Sequence, residues 1–86
     1  MYHIIYTSQA VKDSKKLARS NLKEKCHHLI TIIKKNPFQT PPPYEQLVGD
    51  LSGFTSRRIN SQHRLVYKVY EEIKTIKILR MWTHYE

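Results

Sequence analysis

Residues 51–67, LSGFTSRRINSQHRLVY, constrain the fold more than any other stretch of the chain. Two runs rich in strand-forming residues, 54–59 and 63–70, flank the polar triplet Asn60-Ser61-Gln62, and Ser52-Gly53 adds a turn signal before them. Such a pattern makes a β-hairpin: apolar and aromatic residues suit a pleated, half-buried surface, and the small polar residues suit the turn. The hairpin brings Arg57, Arg58 and Arg64 onto adjacent strands. Alternate residues of a strand face opposite sides, so Arg58 shares a face with Phe54, and Arg64 with Val66. Three guanidiniums on so small an element repel one another unless an anion lies near them.

The rest of the chain reads as a support for that hairpin. Residues 2–7, YHIIYT, are aromatic and β-branched without a breaker and predict a strand, and Thr7-Ser8 can cap a helix that follows. The first helix is expected over 9–19. Val11, Ser14 and Ala18 form one face, with Ala10 and Leu17 beside it, and Lys12, Asp13, Lys15, Lys16 and Arg19 form the solvent face. A second helix over 22–35 carries the strongest periodicity in the chain, Leu22, Cys26, Leu29, Ile30 and Ile33. Lys34, Lys35 and Pro37 end it. PFQTPPP, 37–43, cannot be helix or central strand, and reads as a stiff loop delivering Tyr44, Glu45, Gln46 and Leu47. Glu71-Glu72 marks a turn, and 73–84 reads as a last strand with Ile76, Ile78, Arg80, Trp82 and His84 on one face. The order is β-α-α-β-β-β: an α+β fold in which an antiparallel sheet carries both helices on one side.

At 86 residues the chain is expected to be a single domain, 1–86, with a small core. One cysteine excludes an internal disulfide and is too few for a zinc ribbon. No run approaches the ~18–20 apolar residues that span a bilayer, and the N-terminus lacks the pattern of a signal peptide, so a cytoplasmic protein without membrane association is expected. Fifteen Lys and Arg stand against seven Asp and Glu, a net +8 that argues for a polyanionic partner: RNA, DNA or an acidic protein. Residues 1–36 hold net +6 and 37–86 net +2, which makes Lys12, Lys15 and Lys16 candidates for a phosphate-tracking surface.

No metal motif is present. His27-His28 are adjacent on a helix, diverge by about 100° and cannot share an ion, and Cys26 lies on the apolar stripe of its helix. The remaining candidates suit RNA cleavage without a metal, which needs a base for the 2′-OH, an acid for the departing 5′-oxygen and a cation for the phosphorane oxygens. Glu45 fits the base, His84 the acid, and Arg64, aided by Arg57 or Arg58, the anion clamp. Trp82 and Tyr85 offer aromatic surface, Tyr85 as a stacking platform for unpaired bases. Two other readings stand beside this one. One is a non-catalytic module that grips nucleic acid or an acidic protein; the other is a ribonuclease that works without a ribosome.

The block L-S-G-F-x-S-R-R-I-x-x-x-H-R-L-V-Y, with Lys-Lys-Asn-Pro-Phe and Tyr-Glu-Gln-Leu before it and a terminal His-Tyr after it, resembles the Txe/YoeB toxins of the RelE superfamily across nearly the whole chain. The resemblance implies the toxin half of a type II toxin–antitoxin module. Such a toxin is a metal- and cofactor-independent endoribonuclease that enters the ribosomal A site and cuts the mRNA codon there. It implies Glu45 as general base, Arg64 as transition-state arginine, His84 as general acid, Tyr85 as the terminal tyrosine and Arg58 as a basic residue near the phosphate. It also implies an acidic antitoxin of the YefM/Axe kind, and promoter DNA bound through the toxin–antitoxin complex. Whether the free toxin forms a homodimer is left open. The sequence departs from the pattern in Glu86, one residue past His-Tyr, and in Gln46 and Val48, where relatives often carry proline and a basic residue.

Overall fold

The computed structural model describes residues 1–82; His84, Tyr85 and Glu86 lie outside the described residues. Strand β1 (His3–Tyr6) leads into helix α1 (Ser8–Ala18) and helix α2 (Lys23–Lys35). Then come the short strand β2 (Glu45–Gln46), the hairpin of β3 (Thr55–Arg58) and β4 (Arg64–Tyr70), and the last strand β5 (Thr75–Arg80). The hairpin forms as expected: Asn60 Oδ1 accepts from the N–H groups of Gln62 and His63 at 2.9 and 2.7 Å and closes the turn. Thr7 caps α1, accepting from Ala10 N–H at 3.0 Å, and its hydroxyl donates to Leu79 O at 2.9 Å, so the cap also ties the helix to β5.

The two-helix α+β architecture matches the sequence reading, but the sheet differs in two respects. It has five strands in the order β1-β5-β4-β3-β2, and β1 runs parallel to β5, with Ile4 opposite Ile76 and Tyr6 opposite Ile78. The sheet is therefore mixed rather than antiparallel. Side-chain alternation carries no information about strand direction, and no tight turn joins β1 to β5 to impose one. The extra strand is β2, which pairs Glu45 with Ser56 and Gln46 with Thr55.

The core lies between the helices and one sheet face. Ala10, Leu17, Cys26, Leu29 and Ile33 from the helices meet Ile59, Leu65, Tyr67, Ile76 and Ile78 from the sheet. The stripe on α2 is as the periodicity predicts. Burial pushes the Cys26 thiol up to about 11, so it stays protonated and unreactive.

On α1 the buried stripe is instead Ala10, Asp13 and Leu17, while Val11 and Ala18 are exposed. The sequence reading placed Asp13 in solvent. Its carboxylate is fully buried: Oδ1 accepts from Gln9 at 3.0 Å, and Oδ2 accepts from Arg80 Nε at 3.1 Å, Met81 N–H at 3.0 Å and Trp82 N–H at 3.2 Å. This also explains why β5 stops at Arg80 rather than running to 84. Successive N–H groups of an extended strand point to opposite edges, whereas those of Met81 and Trp82 converge on one oxygen, so the chain must bend there. At its other end β5 begins at Thr75, because Glu71–Ile73 forms a 3-10 turn and Lys74 adopts φ 47°.

Arg57 is the second charged residue found inside. The sequence groups it with Arg58 and Arg64 as a phosphate-binding cluster on the hairpin, but alternation along β3 turns it inward with Thr55 and Ile59, and it is 1% exposed. Its Nε donates to Tyr67 Oη at 3.0 Å, Nη1 to Pro42 O at 2.6 Å, and Nη2 to Pro37 O and Gln39 O at 3.0 and 2.8 Å. Tyr67 Oη donates in turn to Pro37 O at 2.6 Å, and burial raises its pKa, which keeps that proton in place. The Tyr44 ring lies 5.2 Å from the guanidinium. Arg57 therefore holds the proline-rich loop onto the sheet and, being buried, does not stand beside Arg58 and Arg64 in the expected cluster.

Both buried charges lead to stability predictions. Arg57→Lys should cost about 3 kcal/mol, because a single ammonium cannot serve acceptors arranged around a planar fork; urea unfolding would measure this. For Asp13, burial raises the pKa, but the bonds from Met81, Gln9, Arg80 and Trp82 outweigh it, and the carboxyl sits below its ordinary 3.8. Its stabilisation is thus complete well above pH 3.8 and is lost as pH falls through the lower folded value. The stability gap between wild type and Asp13→Asn should be widest near neutrality and should narrow below pH 3.8 in urea titrations run across that range.

Candidate active site

The sheet face turned away from the helices carries the polar constellation. Glu45 stands opposite Ser56 across β2 and β3, and Arg58 stands opposite Arg64 across β3 and β4. Alternation puts all four side chains on this face. Arg64 Nη1 reaches diagonally to Glu45 Oε1 at 3.1 Å and to Ser56 Oγ at 3.3 Å. Two guanidiniums directly opposite each other are unfavourable, and the carboxylate offsets one of them. With Pro43 and Tyr44 these residues line an open pocket of about 360 Å³.

Glu45 is presented by the loop that Arg57 anchors. Pro42 O and the Tyr44 ring are both held by the buried guanidinium, and Glu45 follows immediately. The Glu45 side chain is 64% exposed and that of Arg64 23%, so the ion pair adds well under ~1 kcal/mol to stability. Its significance is chemical: a carboxylate and a permanently charged guanidinium lie side by side in a cavity open to solvent.

A larger groove of about 580 Å³ adjoins this pocket, between α2 and the proline loop. It shares Pro43 and Arg58 with the pocket and is walled by Leu29, Ile32, Pro41 and Pro42, with Lys25 and His28 alongside. The smaller pocket is the candidate active site, because it contains the carboxylate and both guanidiniums.

Of the residues expected from sequence, the structure brings Glu45, Arg58 and Arg64 together. Arg57 is in the core, as described above. Lys12, Lys15 and Lys16 are exposed on α1, in the layer across the sheet, and none lines the pocket. His84 and Tyr85 are outside the described residues. The chain reaches its last described residue, Trp82, with the indole stacked on His63 at 3.9 Å and 24°, and His63 immediately precedes Arg64. No site role is assigned from sequence to His63, Ser56 or Tyr44. Ser56 could have been found from its period-2 spacing to Arg58, and His63 from its place beside Arg64. Tyr44 could have been found from its place immediately before Glu45. Among the described residues no three His, Cys, Asp or Glu side chains are grouped to hold a metal ion, and no helix is long and apolar enough to cross a membrane.

Comparison with known proteins agrees with this fold. Residues 6–85 match the family described as YoeB-like toxin of bacterial type II toxin–antitoxin system. Toxin YoeB of Streptomyces coelicolor is 43% identical over 67 residues, 76% of this chain and 80% of that protein. Among solved structures, a YoeB/ParE toxin from Agrobacterium tumefaciens superposes with a TM-score of 0.88 at 30% identity, covering 96% of this chain and 99% of that one. A chain of a YoeB–YefM complex from Staphylococcus aureus superposes at 0.83 with 34% identity, covering 99% of each chain. The chain belongs to the YoeB-like toxins of bacterial type II toxin–antitoxin systems.

Proposed function

We propose that this toxin is a ribosome-dependent mRNA endoribonuclease that cuts the codon in the A site by metal-independent acid–base chemistry. The observation that carries the reading is the Glu45–Arg64 contact at 3.1 Å on an open, basic face of the sheet, with Arg58 across from Arg64. Glu45 removes the proton from a 2′-OH, and the 2′-oxygen attacks the neighbouring phosphorus. Arg64 exchanges its bond to Glu45 for the phosphate oxygens and holds their growing negative charge, with Arg58 assisting from the opposite strand. The P–O5′ bond breaks and His84 protonates the leaving oxygen, giving a 2′,3′-cyclic phosphate, or a 3′-phosphate after hydrolysis, and a 5′-hydroxyl. Tyr85 stacks on or orients the substrate next to the acid.

A pure binding module would gain little from a carboxylate beside the phosphate it grips, which favours catalysis over capture. The partner is an acidic antitoxin of the YefM kind, as in the S. aureus complex. It would be drawn to a toxin of net +8 and would connect the complex to promoter DNA.

Primer extension on a translated message should show cuts inside codons when ribosomes are present. Equal cutting of naked RNA would overturn ribosome dependence. Arg64→Ala should keep the fold and slow cleavage by ~10²–10³, the usual contribution of an oxyanion donor. A variant that cuts within a few-fold of wild type would remove Arg64 from the chemistry.

A further inference from the structure

The buried carboxylate of Asp13 is placed where it can act on catalysis from across the sheet. Residue 82 is held at three points. Its N–H bonds Asp13 Oδ2 at 3.2 Å, its C=O accepts from Arg80 Nη2 at 3.0 Å, and its indole stacks on His63. Arg80 itself is fixed by its Nε–Asp13 bond at 3.1 Å, and the Met81 N–H by another to the same oxygen at 3.0 Å. Asp13 is thus the common acceptor of a clamp that closes around residues 80–82. Burying a carboxylate completely is costly unless every lone pair is used, and stability alone is often served as well by apolar residues. A fixed geometry is what this arrangement supplies. It ends β5, turns the chain, and attaches its exit to the hairpin end that carries Arg64.

We propose that Asp13 is a positioning residue for the general acid: by clamping residues 80–82 it sets the point and direction from which the chain continues, two residues later, to His84. The inference rests on the reading of His84 as the acid. Fully extended, two residues span about 7 Å, so the exit at residue 82 sets where the path to His84 begins. Asp13 neither touches substrate nor moves a proton. Its loss leaves Glu45 and Arg64 in place and lowers the chance that the acid meets the leaving oxygen.

The test separates acid positioning from general loosening. Cleavage of mRNA on programmed ribosomes is measured at saturating toxin for wild type, Asp13→Asn, Arg80→Ala and His84→Gln. One substrate has an ordinary scissile phosphate. The other has sulfur in place of the 5′-bridging oxygen, whose thiolate departs without protonation. Arg80 is partly exposed, so Arg80→Ala tests the clamp even if Asp13→Asn fails to fold. On the ordinary substrate, Asp13→Asn and Arg80→Ala should slow the cut roughly 10–100-fold, part of the ~10²–10⁴ that a general acid contributes, with toxin affinity for the ribosome unchanged. On the sulfur substrate, both should return to within a few-fold of wild type, as should His84→Gln. If His84→Gln recovers and the clamp variants do not, Asp13 is merely structural and the inference falls while the acid assignment stands. If His84→Gln does not recover, the acid assignment fails and takes the inference with it. Normal cleavage of the ordinary substrate by a folded clamp variant also overturns it.

Discussion

Arg57 carries a full charge into the core, and its donors are met by the Tyr67 hydroxyl and the carbonyls of Pro37, Gln39 and Pro42. The backbone of a proline-rich loop is well suited to this task. Proline has no N–H, so Pro37 and Pro42 offer carbonyls without a donor of their own and the segment forms no ladder. The loop consequently lies against β3, and the residue that follows it, Glu45, is delivered beside Arg64. The position of the proposed base therefore depends on a guanidinium on the opposite face of the sheet.

Adjacent arginines in β3 have opposite fates because a strand alternates. Arg57 faces the helices and organises the loop; Arg58 faces outward and lines both the pocket and the neighbouring groove. The helical lysines form a separate positive surface across the sheet. None of these lysines lines the pocket. Basicity on one layer and a paired Glu–Arg site on the other give the molecule two distinct electrostatic faces.

Asp13 does for the chain end what Arg57 does for the loop. In each case a buried charge collects backbone groups that regular secondary structure leaves unpaired, and in each case the segment so fixed leads directly to a proposed catalytic residue. Sequence assigns Asp13 to the solvent face of its helix and Arg57 to the hairpin's phosphate-binding cluster, because charged side chains are seldom buried and local patterns place them with polar or anionic partners. The exceptions are informative: a charge is tolerated inside where its full set of bonds fixes a geometry that apolar contacts would leave loose.

The sequence by itself determined the elements whose signals are local. These are the hairpin with its polar turn, the strong stripe of α2, the Thr7 cap, the helix stop at Lys34-Lys35 and Pro37, and the β-α-α-β-β-β order, to which the structure adds β2. It also singled out Glu45, Arg58 and Arg64, because their residue types and their setting in a long specific block point to phosphate chemistry. Tertiary structure alone decided the parallel pairing of β1 with β5, the short strand at Glu45–Gln46, the end of β5 at Arg80, and the burial of Asp13 and Arg57. The reason is physical: periodicity reports which side of an element is apolar, whereas strand direction and the burial of a charge depend on partners tens of residues away that no local pattern names.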